Sequence, residues 1–130
     1  MMTDNSTDSI NLKIDNAVLD PTYQTLSTND KVIRLREKLF LVLYYLTKRQ
    51  NQLVSRDILI ERCWQGNFYT GNKAITHTIC HLRKLIRQLK LQATICTLPK
   101  QGYILYINQV NKNELQSELV PSNDYEELVS

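Results

Sequence analysis

Apolar residues recur with different periods along this chain, and the changes of period mark its elements. Ile10, Leu12 and Ile14 alternate with Asn11, Lys13 and Asp15. Further short apolar pieces lie around Val18-Leu19, at 23–26 and at 32–35, separated by Asp20-Pro21 and by Ser27-Thr28-Asn29-Asp30. Alternation broken by turn residues predicts a small antiparallel meander. Residues 36–49 lack Gly and Pro, and Leu39, Phe40, Leu43 and Leu46 fall at helical spacing, which predicts a well-buried first helix. Ser55 precedes Arg56-Asp57-Ile58 as an N-cap with acids in the opening turns; Ile58, Leu59 and Cys63 are assigned to one face of a second, shorter helix ending near Trp64. Residues 65–71 hold two of the three glycines and read as a loop. Beyond it, Ile75, Ile79, Leu82, Ile86 and Leu89 recur at intervals of 4, 3, 4 and 3, predicting a third helix over 72–90. Ile95, Thr97 and the apolar residues 103–107 flank Pro99-Lys100-Gln101-Gly102, a β-hairpin signal with Gly102 free to take a positive φ. Residues 1–9 are polar and read as an unstructured start. Residues 108–130 are polar and acidic and read as a tail or linker, leaving one domain over 10–107.

Size and composition add bounds. A chain of 130 residues with 42% hydrophobic residues can bury one moderate core, which argues against wholesale disorder. Its longest apolar run, 39–46, is too short to span a bilayer, and no leader-like pattern opens it. Cys63, Cys80 and Cys96 are odd in number and widely spaced. They predict free thiols and a reducing, cytoplasmic setting rather than a disulfide framework.

Charge changes the picture more. Residues 31–100 carry 14 Lys and Arg against Glu37, Asp57 and Glu61, whereas residues 1–30 and 101–130 each carry one Lys against five acids. The basic middle is the part suited to a polyanion. On the third helix Lys73, His77, Cys80, Lys84 and Arg87 also recur at 4, 3, 4 and 3, two residues out of phase with the apolar set. At about 100° per residue the two stripes lie on nearly opposite sides. Thr76, His81, Arg83 and Lys90 widen the polar side, and no acidic residue occurs between Arg62 and Asn113. A helix fits the major groove of B-DNA, where Lys and Arg take guanine acceptors and polar side chains bond base edges. A solvated basic face is the bland alternative.

Other chemistries fit less well. His77 and His81 stand at i, i+4 with Cys80 between, but the glutamate of a zincin and an evident further ligand are missing, so no metal site is assigned. Cys63, Trp64 and Tyr103 read as packing residues. With three glycines there is neither a phosphate-cradling loop nor a nucleophile elbow, and neither an enzyme nor a cofactor is expected.

The ordered run of residues 54–64, 72–86 and 98–105 resembles the C-terminal winged-helix domain of OmpR/PhoB-type bacterial regulators. It is more similar still to the one-component CadC/ToxR group. With residues 10–32 matched to the family's N-terminal strands, the resemblance covers about three quarters of the chain. It implies an α+β winged helix-turn-helix fold: an N-terminal antiparallel sheet of four strands, three helices, and a C-terminal hairpin wing. The implied function is sequence-specific binding to double-stranded DNA in transcription regulation, with helix 72–90 in the major groove and wing 98–103 at the minor groove. It carries base or phosphate contacts onto Lys73, Thr76, His77, Thr78, Cys80, His81 and Arg83, which Lys84 and Arg87 extend. Wing contacts fall on Thr97, Lys100 and Gln101, and Arg36 and Lys38 match positions near a phosphate. Asn67, Phe68 and Tyr69 match a loop that touches RNA polymerase in some relatives, which leaves open a protein-interaction module as the alternative. The resemblance also implies a homodimer on DNA, and membrane anchoring only through a segment outside this chain. Cys80 and His81 stand where the pattern has arginines and Pro99-Lys100 replaces an Arg-Gly pair, so an operator sequence is not carried over.

Overall fold

The computed structural model describes residues 12–107; the expectations for residues 1–9, for Ile10 and for 108–130 lie outside them. Strands β1 (Leu12–Ile14), β2 (Ala17–Asp20), β3 (Thr25–Ser27) and β4 (Val32–Arg34) form one antiparallel sheet in the order β1-β2-β3-β4. Its register pairs Leu12 with Leu19, Leu19 with Leu26 and Leu26 with Ile33. The two-residue alternation puts Ala17 and Leu19 inside, with Ile14 and Leu26 beside them. The meander is as expected, except that Tyr23 precedes β3 and is 68% exposed.

Helix α1 (Glu37–Lys48) buries Leu39, Phe40, Val42, Leu43 and Leu46, with Glu37 in its first turn and Lys48 in its last to complement the macrodipole. Helix α2 (Arg56–Cys63) starts where expected, because the Ser55 side chain accepts a bond from the Ile58 amide at 3.0 Å. Its buried residues are Leu59, Ile60 and Cys63. Ile58, assigned to that face from the sequence, is instead 43% exposed, since the inward arc runs one residue later.

Helix α3 (Phe68–Gln88) differs from expectation at both ends. It begins four residues early, so Phe68, Tyr69, Thr70 and Gly71 are helical and the connection from α2 is short. Asn67 provides the cap, its Oδ1 accepting from the Thr70 amide at 3.1 Å. Gly71 is there for close packing: a Cβ would lie 2.6 Å from Cγ2 of Ile60 on α2. At the far end Lys90, at φ 56°, takes the left-handed place that glycine usually fills. Its amide bonds to the Arg87 carbonyl at 3.0 Å, and the Leu91 amide to that of Ile86 at 3.0 Å, a Schellman closure sealed by buried Leu91.

The hairpin is present as β6 (Ala93–Leu98) and β7 (Gly102–Ile107). It is completed by a two-residue strand not foreseen, β5 (Val54–Ser55), in the order β5-β7-β6. Gly102 faces Ser55 in this register, and a Cβ there would strike the Val54 carbonyl oxygen. Lys100 supplies the left-handed φ of the turn at 66°. One continuous core joins Leu19 and Leu26 of the first sheet, Leu43 and Leu46, Leu59 and Ile60, the Ile75/Ile79/Leu82/Ile86 stripe, and Ile95 and Leu105 of the hairpin.

Candidate nucleic-acid interface

The stripes of α3 fall where the period places them, save that Leu89 is half-buried at the C-cap just past the helix. Ile75, Ile79, Leu82 and Ile86 are buried, joined by Leu85, while Lys73, His77, His81, Lys84 and Arg87 are exposed and Thr76 and Cys80 half-buried between them. Burial holds one side of the helix against the core and leaves the other as a surface whose cations run from Lys73 to Arg87, about 21 Å at 1.5 Å per residue. Lys73 is pre-set within it: its Nζ donates to the Tyr69 hydroxyl at 3.0 Å and lies 4.3 Å from that ring's centroid. Thr78 is not part of this side. It flanks Ile79 opposite to Cys80, and its hydroxyl donates to the Ala74 carbonyl at 3.1 Å, back along the helix.

The hairpin turn sets Lys100 and Gln101 in solvent beyond the end of the sheet. The Arg56 amide donates to the Gln101 carbonyl at 3.0 Å, so the turn is held at the start of α2. Arg83 and Thr97, both assigned to DNA from the sequence, meet each other. Arg83 Nη2 donates to Thr97 Oγ1 at 2.8 Å and to the Ile95 carbonyl at 2.8 Å, and Nε donates to the same carbonyl at 3.0 Å.

Of the first-helix pair, Arg36 is exposed at the N-cap of α1. Lys38 is turned inward, with Nζ donating to the Cys63 carbonyl at 2.8 Å and lying 5.8 Å from the Trp64 ring centroid. A cation at the C-terminus of α2 satisfies a carbonyl the helix leaves open. Asn67 caps α3 as described, and Phe68 and Tyr69 are exposed on its first turn at 40% and 74%.

Sequence reasoning overlooked Arg56. Its Nε donates to Asn72 Oδ1, its Nη2 to the Asn72 carbonyl and its Nη1 to the Tyr103 hydroxyl, each at 3.2 Å. One signal was present: a cation in the first turn of a helix opposes the macrodipole, as Arg56 and Lys38 both do. Cys63 and Cys96 behave as packing groups. Burial pushes the Cys63 thiol up to about 11 although Lys38 pulls it down, and burial raises Cys96 against the pull of Arg83. Among the described residues no helix is long and apolar enough to cross a membrane.

A two-stranded wing beside a three-helix core, with the third helix half-buried and basic, defines the class of winged-helix DNA-binding domains. The model of the family described as "Transcriptional regulatory protein, C terminal" matches residues 30–105, and the chain belongs to that family. The heme response regulator HssR of Staphylococcus haemolyticus is 35% identical over 92 residues, covering 71% of this chain and 41% of its own length. The response regulator protein GraR of Staphylococcus saprophyticus is 29% identical over 90 residues, covering 69% of this chain and 40% of its own. The chain thus spans about two fifths of the length of the curated relatives it matches. Among solved structures, the DNA-binding domain of CadC from E. coli superposes with a TM-score of 0.65 at 25% identity, over 75% of this chain and 92% of that one. The DNA-binding domain of CpxR from E. coli gives 0.63 at 27% identity, over 76% and 98%.

Proposed function

We propose that this chain binds double-stranded DNA in a sequence-dependent way, as the DNA-reading part of a transcription regulator, with α3 in the major groove and the hairpin turn at the adjacent minor groove. The carrying observation is the division of α3: an apolar stripe wholly buried, and opposite it a face of Lys73, His77, Lys84 and Arg87 on a helix without one acidic residue. A helix held by one side and cationic on the other can enter a groove walled by phosphates. The similarity to the CadC and CpxR domains, described as DNA-binding, supports the same use.

Within that face, Lys73, Lys84 and Arg87 carry the phosphate contacts, while Thr76, His77, Cys80 and His81 meet base edges. Lys100 and Gln101 approach the minor groove, and Arg36 a phosphate at the start of α1. The test is selection of duplexes from a randomised pool, followed by a salt titration of the selected sequence. With roughly five phosphates neutralised, log K falls against log salt with a slope of about −4.5. A flat salt response, or a pool that yields no enriched sequence, rejects the proposal.

A further inference from the structure

The geometry points to Arg83 as a positioning residue that sets the pitch of the wing against the recognition helix, with Thr97 as its partner, rather than as a reader of DNA. For its consequence on DNA this rests on the function proposed above.

Among the described residues strand β6 is the outer strand of the wing sheet, with β7 on one side and no strand on the other. An edge strand leaves alternate carbonyls without a ladder partner. At Ile95 that partner comes from α3, since Nε and Nη2 of Arg83 both donate to the Ile95 carbonyl, at 3.0 and 2.8 Å. Two residues further along the strand, Nη2 also reaches the side-chain hydroxyl Thr97 Oγ1 at 2.8 Å. The guanidinium therefore takes the backbone carbonyl of Ile95 and the side chain of Thr97 together, holding β6 at two points. These bonds are charge-assisted and part-buried, so water competes for them poorly. The planar fork of donors is what allows one side chain to hold both acceptors, which a lysine ammonium would not reproduce.

The position of Arg83 on the helix suits this role. It follows buried Leu82 and precedes exposed Lys84, at the margin between the two stripes, on the side turned to the hairpin. A second tie stands at the other end of α3, where Arg56 joins Asn72 to the hydroxyl of Tyr103 on β7. Asn72 and Arg83 are eleven residues apart, about 16 Å along the axis. Two ties that far apart fix an angle as well as a distance. A wing held at its angle before binding needs no ordering when it meets the groove, which favours a correct site over a random one.

Three variants test this: Arg83→Met, which keeps volume and removes every donor, Arg83→Lys, which keeps the charge and removes the fork, and Thr97→Val, which removes one acceptor. Amide hydrogen exchange in the β6–β7 hairpin is measured on the free protein, and the salt slope and specific-to-random affinity ratio on duplex DNA. We expect both Arg83 variants to speed exchange of the wing amides by about tenfold and Thr97→Val by about threefold. Adding Thr97→Val to Arg83→Met should change nothing further, because the two act as one unit. The affinity ratio should fall about tenfold in Arg83→Lys although charge is kept. Normal wing exchange in both Arg83 variants overturns the inference. So does full affinity in Arg83→Lys with a slope shallower by about 0.9 in Arg83→Met, which would make Arg83 a phosphate contact. Because exchange is read without DNA, a chain that bound no duplex would reject the proposed function and leave the wing result to be judged alone.

Discussion

The two sheets of this protein are both small and antiparallel, yet they are assembled in opposite ways. Among the described residues the N-terminal sheet lies within 12–34, each strand pairing with its neighbour in the chain. The wing sheet draws β5 from between α1 and α2 and its hairpin from beyond α3, and helix side chains finish its hydrogen bonding at Ile95, Thr97 and Tyr103. The first sheet can form from local contacts, whereas in the second only the β6–β7 hairpin is local and the pairing of β5 with β7 spans α2 and α3. Charge follows the same division. The basic face belongs to α3 and the turn at Lys100, while the first sheet mixes Lys13 and Arg34 with Asp15 and Asp20. One sheet is a platform for the core; the other is an arm whose direction the helices set.

The deepest test of that contrast is a matched pair of core truncations. Leu19→Ala in β2 and Leu105→Ala in β7 both remove fully buried side chains and should each cost about 2–5 kcal/mol in denaturant unfolding. A single core predicts one cooperative transition in both variants; two transitions would show that the sheets fold apart. Gly102→Ala is aimed at the wing alone. Its Cβ would strike the Val54 carbonyl, so β5 should separate from β7 at a cost of about 1–3 kcal/mol, with amide protection in β1–β4 kept relative to the new global stability.

A smaller effect comes from the helix between them. The Cys63 thiol ionises near 9.0 when unfolded and near 11 when folded, so folding is insensitive to this group below pH 9. As pH climbs from about 9 to about 11 the unfolded state loses its proton first, and stability falls across that window. Cys63→Ala should flatten the decline, and an unchanged profile would mean the thiol is not desolvated. The smallest effect separates the two sheets on DNA: Lys84→Ala should make the salt slope shallower by about 0.9, while Lys13→Ala on β1 should leave it unchanged. Equal effects would place the platform at the interface too.

The elements that read correctly from sequence are those whose signal is local. The 4, 3, 4, 3 stripe from Ile75 to Ile86, the Ser55 cap and the alternation around Leu19 each need only a few residues to be recognised. The basic face follows from the same phase relation and is likewise exposed on the folded chain. Misreadings came where a residue type has two uses. Gly71 reads as a breaker but is a helical glycine chosen for its closeness to Ile60, and Lys90 closes α3 where no glycine warns of it.

Periodicity and charge were enough to define which side of α3 is buried and which is basic, because both depend on one helix and its own spacing. Which cations of that basic run remain on the surface depended on the packed fold. Lys38, Arg56, Arg83 and Lys84 are equally basic in sequence, yet Lys38 holds the end of α2, Arg56 and Arg83 hold the wing, and Lys84 stays in solvent. The carbonyls and hydroxyls that draw the first three inward come from residues 12 to 47 positions away, Asn72 on a neighbouring helix among them. A side chain's partners at that separation are set by how the helices and sheets stack, and no spacing within one element reports them.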